Sequence, residues 1–309
     1  METKKKHFTI LNAYKFFKLE NLNSLKKSIY KICKENNVNG TILIAKEGMN
    51  IGISGYQKKI DNVFHQIKTI TQSNDWTYIK TKAQFMPFYR MKVRIKKEIV
   101  TIGKALTRKE KLGKHVGKTK WDKLLNDPNV LVIDARNKYE TEIGTFKNAI
   151  DLSINKFTSF PNAVKKILKK EKKEKIAMFC TGGIRCEKAS SFLLEKGYTE
   201  IYQLKGGILN YFKKSSSSKN LWNGECFVFD NRVALNKKLK IGTYDQCHGC
   251  RFPITDADKK DPQYVKGVSC PRCYSKLTKK KESSRAMRQK QIDKANKEGK
   301  KHPFSILTP

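Results

Sequence analysis

The 309-residue sequence predicts a multidomain chain that combines α+β and α/β architecture. Three observations predict it. Residues 1–103 alternate strand and helix patterns in the order β-α-β-β-α-β. Residues 119–212 hold four short apolar runs separated by helical spacing, the third ending on a cysteine inside a glycine turn. Beyond residue 213 the chain carries two C-x2-C pairs.

In the first unit, Phe8 to Phe17 reads as a strand, and Leu22, Leu25, Ile29 and Ile32 follow with the spacing of one buried helix face. A strand pair, Thr41 to Ala45 and Ile51 to Ser54, surrounds Glu47-Gly48-Met49-Asn50. A second helix carries Ile60, Val63, Phe64 and Ile67, and "RMKVRIKKEIVTIG" closes the unit as a strand. That order is ferredoxin-like. In the closing strand Met91, Val93 and Ile95 alternate with Lys92, Arg94 and Lys96, which predicts a half-buried strand with a basic face. "AKEGMNIGISG" fits no nucleotide-binding fingerprint and reads as a hairpin turn.

Residues 104–118 are polar, charged and glycine-containing, and read as a linker. A helix start at Thr119, before Trp121, Leu124 and Leu125, opens the second unit. Its strands, 130–133, 150–152, 176–179 and 201–204, alternate with helices and predict a parallel sheet. The stretch "KKSSSSKN" (213–220) ends the unit as a flexible segment. A Cys-rich segment reaches residue 277, and the basic tail 278–309 reads as solvated, with an RNA-gripping arm as the sharper alternative.

The chemistry lies in "KIAMFCTGGIRCEKASSFLLEKG" (175–197). A buried strand delivers Cys180 to a turn of Thr181, Gly182, Gly183, Ile184, Arg185 and Cys186 that opens a helix. Unpaired N–H groups and the positive end of a helix dipole favour an anion there. A free thiol titrates near about 8.5, and such a nest lowers that value and populates the thiolate. Arg185 adds a cation at the far end of the loop. Two chemistries use such a cradle: attack on a phosphate ester, and sulfur transfer through a persulfide. The C-x4-R spacing is one residue shorter than a phosphatase loop and suits a single sulfur better. A buried structural cysteine is the plain alternative, but a strand-Cys-Gly-Gly-helix junction is a poor way to fill a core. Cys186 reads either as a partner that resolves a persulfide or as a small packing residue; Cys33 and Cys226 read as core.

"CTGGIR" resembles the active-site loop of rhodanese domains. "VLVIDARNKYETEIGTFKNAID" places Asp134, Arg136, Glu140 and Gly144 at family positions, and Thr145 stands where many of those domains carry histidine. "IYQLKGGILNY" resembles the closing strand and Gly-Gly turn of the same fold. Asp134 and Arg136 are expected to brace the loop rather than to react.

The pairs Cys247/Cys250 and Cys270/Cys273 form C-x2-C-x19-C-x2-C, the spacing of a structural four-cysteine zinc site. A redox C-x-x-C pair and reduced, metal-free cysteines are the alternatives. With these pairs and no secretion signal, a disulfide framework is not expected.

The formal charge of +38 points to a polyanionic partner. Of the 66 basic residues, 56 are lysines, so part of the excess reflects composition on solvated faces. No apolar run approaches the ~20 residues of a membrane span, and a cytoplasmic protein is expected. No flavin or nicotinamide fingerprint is evident, nor a 2-His-1-carboxylate set among His7, His65, His115, His248 and His302, so no organic cofactor is expected.

The domain order, with "FYRMKVRIKKEIVTIG", "CTGGIRCEKAS" and "LWNGECFVFDNRV", resembles the rhodanese-domain tRNA uridine hydroxylases, the TrhO family, to about residue 275. The resemblance implies oxygen-dependent hydroxylation of uridine at C5 at the wobble position of tRNA. Cys180 then matches the catalytic cysteine and persulfide carrier, with an oxidant or sulfur donor of unknown identity. A plain sulfurtransferase and a non-enzymatic RNA-binding protein are the other expectations.

Overall fold

A computed structural model describes residues 7–104, 111–171, 173–215, 220–300 and 302–303. The first domain runs β1 (Phe8–Phe16), α1 (Leu22–Glu35), β2 (Asn39–Ala45), β3 (Gly48–Gly55), α2 (Gln57–Ile70), β4 (Thr77–Ala83) and β5 (Met91–Ile95). The sheet order is β4-β1-β3-β2-β5. Strands β1 to β4 make the ferredoxin-like sheet, and β5 adds parallel to the edge strand β2. The closing strand of the ferredoxin-like order is β4, and not residues 90–103 as the sequence pattern predicts. The strand Thr77–Ala83 interleaves lysines with Ile79 and Ala83 at a sheet edge, so its apolar signal is thin.

One face of this sheet packs on α1 and α2 through Leu11, Ile42, Ile51, Ile53 and Val93. The other face mixes polar and apolar side chains. Across it Ile79, Asn12, Gly52, Thr41 and Lys92 lie in one register row, and Thr77, Tyr14, Asn50, Leu43 and Arg94 in the next.

The second domain contains β6 (Lys114–Val116), α3 (Lys118–Asn126), β7 (Val130–Asp134), α4 (Lys138–Thr141), β8 (Gly144–Phe146), β9 (Ile150–Asp151), α5 (Phe160–Lys170), β10 (Lys175–Phe179), α6 (Ile184–Glu195), β11 (Glu200–Leu204) and α7 (Gly207–Lys214). Its parallel sheet has the order β6-β11-β10-β7-β9. Part of the expected linker is therefore sheet: Lys114–Val116 pairs with β11, and Gly113 is held by Ser190 Oγ at 3.0 Å and by Gln203 Nε2 at 3.0 Å. Residues 105–110 of that linker, and 216–219 of the expected serine-rich flexible stretch, lie outside the described residues.

The C-terminal segment first completes the second domain. Strand β12 (Trp222–Gly224) pairs with β8, and the Trp222 indole is buried against Phe146, Phe179 and Phe212. Short hairpins follow, β13 (Cys226–Phe227) with β14 (Ala234–Leu235) and β15 (Asp245–Gln246) with β16 (Pro253–Ile254), then α8 (Asp256–Lys260) and α9 (Pro271–Tyr274). The tail expected to be solvated forms α10 (Lys279–Lys297), most of whose residues are exposed. Thr278 caps it, and two arginines tie it down: Arg285 Nη1 donates to Val268 O at 2.9 Å, and Arg288 Nη2 to Gly267 O at 2.9 Å and His248 O at 3.0 Å. Residues 304–309 of the tail lie outside the described residues. Among the described residues no helix is long and apolar enough to cross a membrane.

Candidate active site

Strand β10 is buried on both faces, and its last residue, Phe179, hands the chain to Cys180. Gly183 takes φ 100°, which L side chains avoid, and a Cβ there would come within 2.8 Å of the Tyr14 hydroxyl. The turn brings the Gly183 N–H to 3.1 Å from Cys180 Sγ. Behind the loop, Ile208 N–H binds the Cys180 carbonyl at 3.0 Å and Leu209 N–H the Thr181 carbonyl at 3.2 Å. That close approach requires Gly207, whose Cβ would lie 2.4 Å from Cys180 O.

Burial pushes the Cys180 thiol up. The Cys186 S–H, the Arg185 charge and the N–H groups of residues 185 and 186 outweigh it, and the thiol titrates at about 6. Cys186 is held protonated, raised by burial and by the neighbouring Cys180 sulfur. At neutral pH the site thus carries a thiolate that accepts from a thiol. Cys33 and Cys226 are both buried, and burial pushes each thiol up to about 12.

Arg185 is not a bare loop cation. Its guanidinium pairs with buried Glu140, Nη1–Oε1 at 2.6 Å and Nη2–Oε2 at 2.8 Å. Asp134 and Arg136 brace the loop at one remove. Arg136 Nη2 meets Asp134 Oδ2 at 2.6 Å, and the same guanidinium donates to the carbonyls of Glu140 at 3.1 Å and Gly144 at 2.6 Å. It therefore fixes the segment that carries Glu140. Thr145 hydroxyl also donates to Asp134 Oδ2, at 2.8 Å.

Residues outside the set expected from the sequence complete the surroundings. Tyr14 reaches from β1 to Glu187, two residues past the loop arginine, at 3.0 Å. Glu187 also meets His115 at 3.0 Å and Gln203 at 3.2 Å. Lys188, buried in the same helix, pairs with Glu47 at 2.9 Å and with Glu98, both from the N-terminal domain. The signal was present in the sequence: "IRCEKASS" places charges on every side of the first turns of α6, which a helix packed on one apolar face would not carry.

Cys180 faces a cavity of about 520 Å³ between the domains. The first sheet walls it with Asn12, Tyr14, Thr41 and Asn50 beside Leu43 and Ile79, and Phe88 and Phe229 also line it.

In the C-terminal segment, the sulfurs of Cys247, Cys250, Cys270 and Cys273 all lie within 4.8 Å of one another. Cys250–Cys270 is 3.7 Å and Cys270–Cys273 is 3.8 Å. A tetrahedron with metal–sulfur bonds of about 2.3 Å has edges near 3.8 Å, so the four residues fit a closed thiolate site for a metal ion.

A thiolate in a glycine-turn cradle at the C-terminal end of a parallel sheet, backed by a buried arginine–carboxylate pair, defines a rhodanese-fold protein. Residues 118–214 match the model of the rhodanese-like domain, and residues 8–99 match that of the UPF0176 acylphosphatase-like domain. The chain belongs to the family that joins these two, the UPF0176 rhodanese-domain (TrhO) family. Among solved structures it is similar to a human single-domain sulfurtransferase, at 20% identity over 34% of this chain and 99% of that one, with a TM-score of 0.28. It is also similar to a single-domain sulfurtransferase of Saccharomyces cerevisiae, at 18% identity over 36% and 95%, with a TM-score of 0.29. An acylphosphatase from Coxiella burnetii matches at 15% identity over 30% and 100%, with a TM-score of 0.24.

Proposed function

We propose that the protein hydroxylates uridine at C5, at the wobble position of tRNA, in an oxygen-dependent reaction that uses Cys180 as thiolate and persulfide carrier. The observation that carries this reading is the position of Cys180: it lines a cavity whose far wall is another domain. A cysteine that only relays sulfur between small molecules needs no such wall. The carboxamides of Asn12 and Asn50 and the Thr41 hydroxyl offer donors and acceptors for the edge of a pyrimidine, and Phe88 and Phe229 offer apolar surface for its faces. Gly183 N–H holds a sulfane sulfur on Cys180 as it holds the thiolate, and Arg185 balances its charge. The oxidant or sulfur donor comes from outside the chain. The partner is tRNA, and the four-cysteine site takes zinc, whose role is to cross-link the segment.

The test compares 5-hydroxyuridine and its derivatives in tRNA from cells with the wild type, a deletion or Cys180→Ser. Loss of the nucleoside in both mutants supports the reading. Wild-type levels in the deletion, in cells with no second such enzyme, overturn it. The cradle itself favours a second reading, a sulfurtransferase: thiosulfate would leave its sulfane sulfur on Cys180 and depart as sulfite, and an acceptor thiol would take the sulfur. That activity would turn over without RNA.

A further inference from the structure

The cavity at Cys180 continues outward. Thr41, Phe88 and Phe229 line it and also line a second groove of about 900 Å³. Three of the elements that line it bring positive charge: the β5 edge of the first domain, the end of the Cys247–Cys250 turn, and α10. Each contributes cations, Arg90 and Lys92 from the first, Arg251 from the second and Arg288 from the third. Asp230, the one carboxylate among the described lining residues, is already clasped by Arg232, with Nε–Oδ1 at 2.8 Å and Nη2–Oδ2 at 2.6 Å. The cations crowd one another. Burial, then Arg90, Arg94 and Arg251, hold the Lys92 ammonium below its ordinary value, and burial followed by Arg251 does the same to Arg288.

Where the two spaces meet stands Phe229, 61% exposed. Its ring packs edge-on to Phe227 at 5.2 Å and lies 5.8 Å from the Arg185 guanidinium. An exposed aromatic ring beside converging cations is what a single nucleic-acid strand uses: phosphates take the cations and a base stacks on the ring.

We propose that this groove grips the single strand that flanks the target uridine. Its phosphates lie on Arg90, Lys92, Arg251 and Arg288, a flanking base stacks on Phe229, and the four-cysteine turn with α10 forms the outer jaw. This rests on the tRNA reading above and adds where the strand runs. It also gives the C-terminal helix a task, since Arg288 both ties α10 to His248 O and faces the groove.

The test measures binding of an anticodon stem-loop RNA to the full chain across a salt series. The variants are Lys92→Gln/Arg251→Gln and Phe229→Ala, with Lys27→Ala/Lys34→Ala on the opposite face as control. Each lost phosphate contact flattens the slope of log K against log salt by about 0.7, so the double variant loses about 1.4 of slope and weakens on the order of tenfold or more at fixed salt. Phe229→Ala weakens binding with the slope unchanged. Far-UV circular dichroism and a urea midpoint unchanged in each variant show the fold intact. RNA binding by the wild type that neither groove variant alters overturns the groove and leaves the tRNA reading standing. A wild type that binds the stem-loop no better than polyglutamate of equal charge overturns both.

Discussion

The Tyr14 hydroxyl, on the first strand of the N-terminal domain, donates to Glu187 Oε1 at 3.0 Å, 173 residues along the chain. Glu187 lies on the helix that the active-site loop opens, so the contact joins the wall of the cavity to the cradle of the thiolate. Tyr14 also covers Gly183. The burial and the Glu187 carboxylate that raise its phenol well above the ordinary value keep it a donor at every physiological pH.

Tyr14→Phe tests that bridge. Glu187 retains His115 and Gln203, so its buried carboxylate is not left alone. The expected loss is about 1 kcal/mol, the size of one net hydrogen bond, read from denaturant unfolding. A loss of several kcal/mol would mean that Tyr14 holds the domains by packing rather than by this bond.

The thiolate carries its own pH signature. Alkylation of Cys180 by iodoacetamide is expected to rise through about pH 6 and level off above it. The same depression has a sign for stability. The folded thiol binds fewer protons than a free one, so its contribution is complete above about pH 8.5 and is lost as pH falls through the folded value. Cys186→Ala removes the S–H donor and moves the alkylation midpoint upward, and Cys186→Ser, which keeps a donor, restores most of the shift. A midpoint near the free-thiol value in the wild type would sink the cradle as described.

Arg185 and Glu140 push that midpoint in opposite directions. Glu140→Gln leaves the guanidinium uncompensated beside the sulfur, so the midpoint falls; Arg185→Gln raises it. Each also strands a buried charge, at a cost of about 3–5 kcal/mol in urea unfolding. Shifts of the same sign in both variants would show that the pair acts on the loop's shape and not through its charge.

Local features were the legible ones. Cys180, its glycines and the alternating strands of the second domain could be read because one short stretch contains all of their physics. The charges of α6 stand out in the sequence but their partners do not, since Lys188 finds Glu98 90 residues away and Tyr14 finds Glu187 across the whole interdomain join. Helix α10 escaped for a different reason. It has no apolar stripe, and its stability comes from a Thr278 cap, good helix formers and two arginines bound to carbonyls of the four-cysteine segment. Periodicity cannot report any of these.

Lys188 is the second bolt between the domains. Lys188→Met leaves Glu47 and Glu98 buried without their cation, and about 3–5 kcal/mol is expected to be lost. Replacing all three, Lys188→Met with Glu47→Gln and Glu98→Gln, should recover much of it, because no unpaired charge remains. In the wild type Lys188 overcomes the upward push of burial on Glu98 and holds its carboxyl below the usual carboxylate range. That part of the stability is therefore present above about pH 4.3 and lost as pH falls through the lower folded value. A triple variant no more stable than Lys188→Met would show that the ions themselves, and not their pairing, set the geometry of the join.

Metal removal separates the C-terminal segment from the thiolate. The carbonyls of His248, Gly267 and Val268 that receive Arg285 and Arg288 lie within the loop closed by Cys247, Cys250, Cys270 and Cys273. Four thiolates without a metal repel one another, so chelation is expected to open that loop and release α10, which has no apolar face of its own to hold it. Far-UV circular dichroism should lose about the signal of one helix, and four additional thiols should react with a disulfide reagent. Cys180 should still titrate at about 6, because Arg185, Glu140 and the N–H groups around it touch none of these residues. If the helical signal survives complete removal of the metal, the arginines hold α10 without the cross-link, and the four cysteines serve something other than the shape of this segment.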